Sequence, residues 1–209
     1  MKEANEAVNS YISDMLSLEE HIGKALEAQL EDLKDYPEVT AELRSIHATV
    51  ESHASALRDL LERRGGRGGG GAVKRAGSAL LGWAAGAVDL VRKEGLPKNL
   101  RDDYTACSLA TIGYTMLHTT ALSLGEREVS ELAHRNLRDY ARVVMTLHHV
   151  IPGAVIKFLQ EEGLPANAGA LSEISENIDG AWREQSGEVP DADEIGAPQR
   201  RSAPAGTGR

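Results

Sequence analysis

The chain has 209 residues, a formal charge of −9, 41% hydrophobic residues and only 4% aromatic residues, so it can build one sizeable domain with an aliphatic core. The acidic balance argues against nucleic acid and anionic lipid as main partners, because both need a dense cationic surface. The single cysteine, the charged N-terminus without an apolar run, and the lack of ~18 consecutive apolar residues predict a soluble cytoplasmic protein without disulfide, secretory signal or transmembrane segment.

The first two predicted elements are long helices that form a hairpin. Apolar residues recur every three or four positions over about residues 3–34 and again from Val39 to Leu60, which is the spacing of one helix face. Asp35-Tyr36-Pro37 ends the first helix, because the residue before a proline is pushed out of helical geometry. With such a short turn, the two helices are expected to lie antiparallel.

Small residues dominate the middle of the chain. Residues 65–71 are mostly glycine and predict a flexible linker; no strand precedes them and no Gly-Lys-Ser/Thr ending follows, so a phosphate-binding loop is disfavoured. Residues 73–94 predict a short Ala/Gly-rich helix. In it, Gly82 and Gly86 lie one turn apart and favour close helix contact within the bundle or in a homodimer.

Two further long helices follow, over about residues 99–124 and 126–162, with Gly125 as the cap between them. Pro152-Gly153 predicts a kink in the second of these. Residues 164–209 lose the apolar periodicity and are expected to be a mostly disordered tail with a short helical piece near residues 172–182. The predicted fold is therefore an all-α, antiparallel four-helix bundle over residues 1–163, with one extra short helix between the hairpins.

Two ionisable residues interrupt the apolar stripes of the first hairpin. Glu19 and His53 stand where apolar residues are due, and both lie about 25 Å from the turn at 1.5 Å per residue. Such groups are costly to bury unless they are paired or bind a metal ion. Two interpretations remain open: a buried Glu–His hydrogen bond, or a site for iron, manganese or zinc, which accept carboxylate and imidazole ligands.

Other candidate ligands at this level are sparse. In the stretch Val50-Glu51-Ser52-His53, valine occupies the inward position that a Glu-x-x-His metal motif gives to its carboxylate. Glu51 is rotated about 100° from Val50 around the helix axis, so it can act as a metal ligand only from the side of the inward face. His47 lies on that side, one turn earlier. The second hairpin offers Thr111, Tyr114, Asp139 and Tyr140 at the same level. Its two histidines near Gly125, His118 and His134, lie at comparable distances from it and could meet across the hairpin, with solvated or capping roles as the default interpretation.

The sequence resembles the ferritin-like family typified by the bacterial stress proteins YciE and YciF. The resemblance rests on residues 11–19, which read Tyr-Ile-Ser-Asp-Met-Leu-Ser-Leu-Glu, on the second-helix stretch through His53, and on Leu124-Gly125; it covers roughly residues 5–160. It implies a helical bundle that is commonly dimeric and associated with stress responses. Only Glu19 and His53 match the ligands of a di-iron centre. The resemblance places acidic ligands where this chain has Val50, Thr111, Tyr140 and Val143.

Three hypotheses of function follow. The first is a non-enzymatic, stress-associated bundle with an incomplete di-metal site that forms a homodimer or higher homo-oligomer and binds one metal ion. The second is a divergent di-iron or manganese oxidase, or an iron-handling protein. The third is a structural or partner-binding bundle that uses the Ala/Gly helix and the acidic tail. The candidate metal ligands are Glu19, His47, Glu51, His53 and Asp139.

Overall fold

The computed structural model describes residues 2–33, 36–65 and 95–186, and within these ranges it contains helices and no strand. Four long helices form a bundle: α1 (Lys2–Asp32), α2 (Pro37–Arg63), α3 (Leu96–Ser123) and α4 (Arg127–Glu161). α1 packs on α2 and α3, and α4 packs on α3 and α2. The all-α class and the helical bundle predicted from the sequence are confirmed.

Proline and glycine set the ends of these helices. Pro37 and Pro97 lie in the first turns of α2 and α3, where a missing N–H costs nothing. Gly125 has φ +77° and ends α3 in a Schellman motif. Its N–H donates to Leu122 O (3.2 Å), and the next N–H, of Glu126, donates to Ala121 O (2.8 Å). α4 continues as one helix through the proline of the predicted kink site.

Contacts at the two ends of the bundle fix the direction of the helices. At one end, the Arg64 guanidinium donates to Asn9 of α1 (2.7 Å) and to Glu126, just before α4 (2.8 Å). At the other end, Gly95 lies so close to α4 that a Cβ atom there would stand 2.6 Å from the Phe158 ring. α2 therefore finishes at one end of the bundle, and α3 begins at the opposite end.

The core is mainly aliphatic, as the low aromatic content predicts. The apolar residues that form the predicted stripes are all buried: Val8, Ile12, Met15, Ile22, Leu26 and Leu33 in the first helical stretch, and Val39, Leu43, Ile46, Val50, Leu57 and Leu60 in the second. Helices α1 and α3 approach closely at Gly113, where a Cβ atom would lie 2.6 Å from the Met15 sulfur.

A separate C-terminal unit begins at residue 169. A 3₁₀ turn, Ala168–Ala170, spans this boundary, and the described part of the unit contains a helix, α5 (Leu171–Ser186), where the sequence predicts a short helical piece. Residues 66–94 and 187–209 lie outside the described residues. The Gly-rich linker beyond Gly65, the Ala/Gly-rich helix with Gly82 and Gly86, and most of the predicted tail fall there and stay predictions.

Among the described helices, α4 alone is long and apolar enough to span a membrane by length and composition, with a mean hydropathy of 1.3 over 18 residues. One such helix is weak evidence, because core helices of soluble proteins pass the same test.

A buried carboxylate network in the bundle

Glu19 is completely buried on α1 and has both of its carboxylate oxygens occupied. Oε1 accepts a hydrogen bond from the Tyr114 hydroxyl of α3, and Oε2 accepts one of 2.5 Å from the Tyr140 hydroxyl of α4. Both tyrosines are also at 0% exposure. Two directed hydroxyl donors compensate a carboxylate for the water lost on burial, which explains how an acidic residue fits the apolar stripe of α1.

The tyrosines act as donors because their own protons are held firmly. Burial raises the pKa of both hydroxyls well above the ordinary value, and the nearby Glu19 charge raises it further. The two rings stack with centroids 5.8 Å apart. Asn136, buried on α4, donates from Nδ2 to the Tyr114 oxygen at 3.0 Å and extends the network by one residue.

His53 joins the buried carboxylate to a second one nearer the surface. Its Nδ1 lies 3.3 Å from Glu19 Oε1, and its Nε2 lies 3.2 Å from Asp139 Oδ2. The Nε2 contact is a hydrogen bond, whereas buried Nδ1 has no hydrogen-bond partner of suitable geometry within the described residues. If Nε2 carries the proton of neutral His53, the Nδ1 lone pair faces a carboxylate oxygen. A second proton or a cation at Nδ1 would relieve that repulsion.

Asp139 connects the network to the solvent. Burial raises the pKa of Asp139, but hydrogen bonds from His53 and Arg142 outweigh it, so the net shift is downward and the group is a carboxylate at neutral pH. Asp139 and His53 line an open cleft of about 380 Å³ between α2 and α4. Its other lining residues are Ser45, Ala48, Thr49 and Ser52. We call Glu19, His53, Tyr114, Asn136, Asp139 and Tyr140 the Glu19 network.

The structure brings together three of the five predicted ligand residues, Glu19, His53 and Asp139. The other two lie outside the Glu19 network. Glu51 is exposed, and its Oε1 covers Gly23 of α1 on the flank of the first hairpin. His47 is half-buried on α2 and has no contact with the three residues among the described hydrogen bonds and ion pairs.

Sequence reasoning placed both tyrosines at the level of Glu19, but it missed Asn136. The available signal was an amide within the buried stripe of α4, one turn before Tyr140. His118 and His134 do meet across the second hairpin, where their ring centroids are 5.2 Å apart.

The residues present do not fit a di-metal centre. Such centres take inward carboxylates and histidines from all four helices. Here the groups that α3 and α4 direct at Glu19 and at each other are two tyrosine hydroxyls and an amide, in place of carboxylates and histidines. Across the described ranges, no group of three or more His, Cys, Asp or Glu side chains is placed to hold a metal ion.

A four-helix bundle with polar residues from facing helices at its centre is the architecture of ferritin-like proteins. The family model described as Domain of unknown function (DUF892) matches residues 4–160, and the chain belongs to this family. A crystal structure of a protein from Xanthomonas campestris pv. campestris is similar, with a TM-score of 0.63 and 17% identity, covering 78% of this chain and 99% of that one. At this identity the likeness shows the fold alone. No curated protein matches the chain.

Proposed function

We propose that this protein is a non-enzymatic ferritin-like bundle in which the Glu19 network takes the place of a di-metal centre. The observation that carries the proposal is the occupation of both Glu19 oxygens by tyrosine hydroxyls. Each Glu19 oxygen keeps one further lone pair, but neutral hydroxyls of α3 and α4 stand where a di-metal centre takes further carboxylates from these helices. In this proposal the network stabilises one arrangement of the four helices, and the protein acts through contacts with other molecules.

A second candidate is a single metal ion held by Glu19 and His53. The observation in its favour is the buried Nδ1 atom without a hydrogen bond among the described residues, 3.3 Å from Glu19 Oε1. Two ligand atoms that each lie about 2.1 Å from a tetrahedral zinc ion are separated by roughly this distance. The Tyr114 hydroxyl also donates to Oε1, so in this candidate the metal ion uses the second lone pair of that oxygen or displaces the hydroxyl.

The metal content of the purified protein separates these candidates. The protein is produced in medium supplemented with iron, manganese and zinc, purified without chelator, and its metal ions per chain are counted by mass spectrometry of the elements. The main proposal predicts well below one metal ion per chain and a melting temperature that a chelator does not change. Two ions per chain would overturn it in favour of a metal oxidase or iron-handling protein.

His53→Gln and His47→Gln form the matched pair of variants for the metal measurement, since both remove one histidine from α2. A single metal ion that His53→Gln loses and His47→Gln keeps would establish the second candidate. A trace content that is equal in both variants supports the metal-free bundle.

We further propose a stress-associated role, a cytoplasmic location and a homodimer. Support for the role comes from the resemblance over residues 11–19, a motif that ends at the carboxylate of the Glu19 network. Support for the dimer is the Gly82/Gly86 pattern. Light scattering at micromolar concentration is expected to give the mass of two chains, and a strict monomer would contradict the dimer without affecting the metal-free network.

A further inference from the structure

A second buried carboxyl group lies where α1 and α3 pack together, away from the Glu19 network. Asp103 of α3 is 5% exposed, and its Oδ1 accepts a hydrogen bond of 2.8 Å from Gln29 Nε2 of α1. The two remaining oxygens of this pair, Asp103 Oδ2 and Gln29 Oε1, are both buried and have no hydrogen-bond partner within the described residues. Two unsatisfied acceptors in one buried pair need a physical explanation.

One proton on Asp103 satisfies both oxygens. A carboxylic acid and a primary amide that lie side by side can form two parallel hydrogen bonds, amide N–H to acid carbonyl and acid O–H to amide carbonyl. The first of these bonds is present. We propose that Asp103 and Gln29 form a neutral acid–amide pair that joins α1 to α3, and that this junction loosens when Asp103 loses its proton.

The surroundings of Asp103 favour the protonated form. Burial raises the pKa of Asp103 to about 7; the Gln29 hydrogen bond lowers it and the neighbouring Asp102 raises it. Asp102 is already paired with Arg101, and within the described residues Asp103 itself makes no ion pair. In this part of the chain, therefore, no cation compensates a charge on Asp103.

Titratable groups on the packed helices must be considered too. On α1, Glu27 and Glu31 flank Gln29 in sequence, two residues to either side. On α4, counting from the Tyr114–Tyr140 contact places His148 about one turn from the level of Asp103, with His149 beside it. Because these groups are shared by the wild type and the variants, the test compares variants at one pH.

The sign of the effect follows from linkage. In the unfolded chain Asp103 has the ordinary aspartate pKa of 3.8 and loses its proton early, whereas the folded chain keeps the proton until about pH 7. The contribution of Asp103 to stability is therefore highest below pH 4, falls as the pH rises towards 7, and stays low above that. A difference of about three pKa units corresponds to roughly a thousandfold change in the unfolding equilibrium constant.

Asp103→Asn is the test variant, because an asparagine amide can donate to Gln29 Oε1 without carrying a charge at any pH. Asp102→Asn is the control, since it makes the same change one residue away. Urea unfolding is measured from pH 4 to pH 9. Asp103→Asn is expected to lose most of the decline in stability seen between pH 4 and pH 7 in the wild type. Asp102→Asn is expected to keep most of it, because the Asp102 charge is the smallest of the three influences on the pKa of Asp103. Equal pH profiles for Asp103→Asn and the wild type would overturn the proposal.

Cys107 provides a reporter of the loosening, because it is the only cysteine, is completely buried, and lies one turn from Asp103 on α3. At pH 8 its reaction with a thiol reagent is expected to be several-fold faster in the wild type than in Asp103→Asn. Equal reaction rates in the wild type and in Asp103→Asn would overturn the proposal that the junction loosens when Asp103 loses its proton.

Infrared spectroscopy of the wild type gives a reading that needs no variant. A protonated-carboxyl band that persists above pH 6 and disappears near pH 7 is expected, and its absence at pH 6 would overturn the neutral pair.

Discussion

Glu19 and Asp103 are both carboxyl groups buried between helices of the same bundle, yet their surroundings differ. Glu19 receives hydrogen bonds from two tyrosine hydroxyls and lies beside an imidazole, whereas Asp103 receives one hydrogen bond from an amide. The first site is built for a charge and the second for a neutral acid. The number of donors directed at a buried carboxyl group, more than its depth, determines which form the fold accommodates.

The largest expected effect on stability comes from truncating Glu19, the carboxylate with more hydrogen-bond donors. Glu19→Ala removes the acceptor of two buried hydroxyls and the partner of His53, and should lower the free energy of unfolding by about 3–5 kcal/mol. The double variant Glu19→Leu/His53→Leu should cost less than Glu19→Ala, because His53 is no longer left without its partner. It should not be neutral, since both tyrosine hydroxyls still lose their acceptor. Urea denaturation measures both.

Glu20→Ala is the control for this experiment. Glu20 is the next residue of α1, is exposed, and forms a surface ion pair of 2.9 Å with Arg58, so its loss should cost less than about 1 kcal/mol. A Glu19→Ala variant that is as stable as Glu20→Ala would contradict the claim that hydrogen-bond donors stabilise a buried charge on Glu19.

A smaller effect is expected when one donor is removed from Glu19. Tyr140→Phe keeps the ring and leaves Oε2 without its hydroxyl, which should cost about 1–3 kcal/mol. Tyr114→Phe should cost at least as much, because it also removes the acceptor of Asn136 Nδ2. The same denaturation measurement shows which of the two variants loses more stability. If neither variant loses stability, the hydroxyls do not stabilise the charge on Glu19.

The smallest effect concerns Asp139, whose pKa shift has the opposite sign to that of Asp103. Its pKa is lowered in the folded chain, so its contribution to stability is present above the unfolded value near 3.8 and is lost as the pH falls below it. Asp139→Asn should therefore weaken the pH dependence of stability slightly, and only in acid. Asp103→Asn should weaken it above pH 4. Thermal unfolding from pH 2 to pH 8 compares them; the same window for both would contradict the opposite signs.

The two sites also differ in how far the sequence predicts them. Glu19 and His53 interrupt clear apolar stripes in two helices joined by a short turn, so helix geometry alone places them at one level. Asp103 follows Arg101-Asp102 near the start of α3, where acidic residues are usually exposed, and Gln29 lies near the end of α1. Their pairing depends on how α1 packs on α3, which no local pattern records.

The same limit applies to the contacts of Glu19. The level of Tyr114 and Tyr140 followed from counting residues, but the direction of their hydroxyls depends on the rotation of α3 and α4 about their own axes. The periodic apolar residues predict the bundle. The partner of each polar side chain requires the packed structure.

The most direct test of the central claim, that hydrogen bonds and not metal ions hold Glu19, is anomalous X-ray diffraction at the iron, manganese and zinc edges. Crystals soaked in each ion would be used. We expect no anomalous peak between Glu19 and His53. We also expect a tyrosine hydroxyl within hydrogen-bond distance of each Glu19 oxygen. A peak bonded to Glu19 and His53, with Tyr114 or Tyr140 displaced or coordinated, would contradict it.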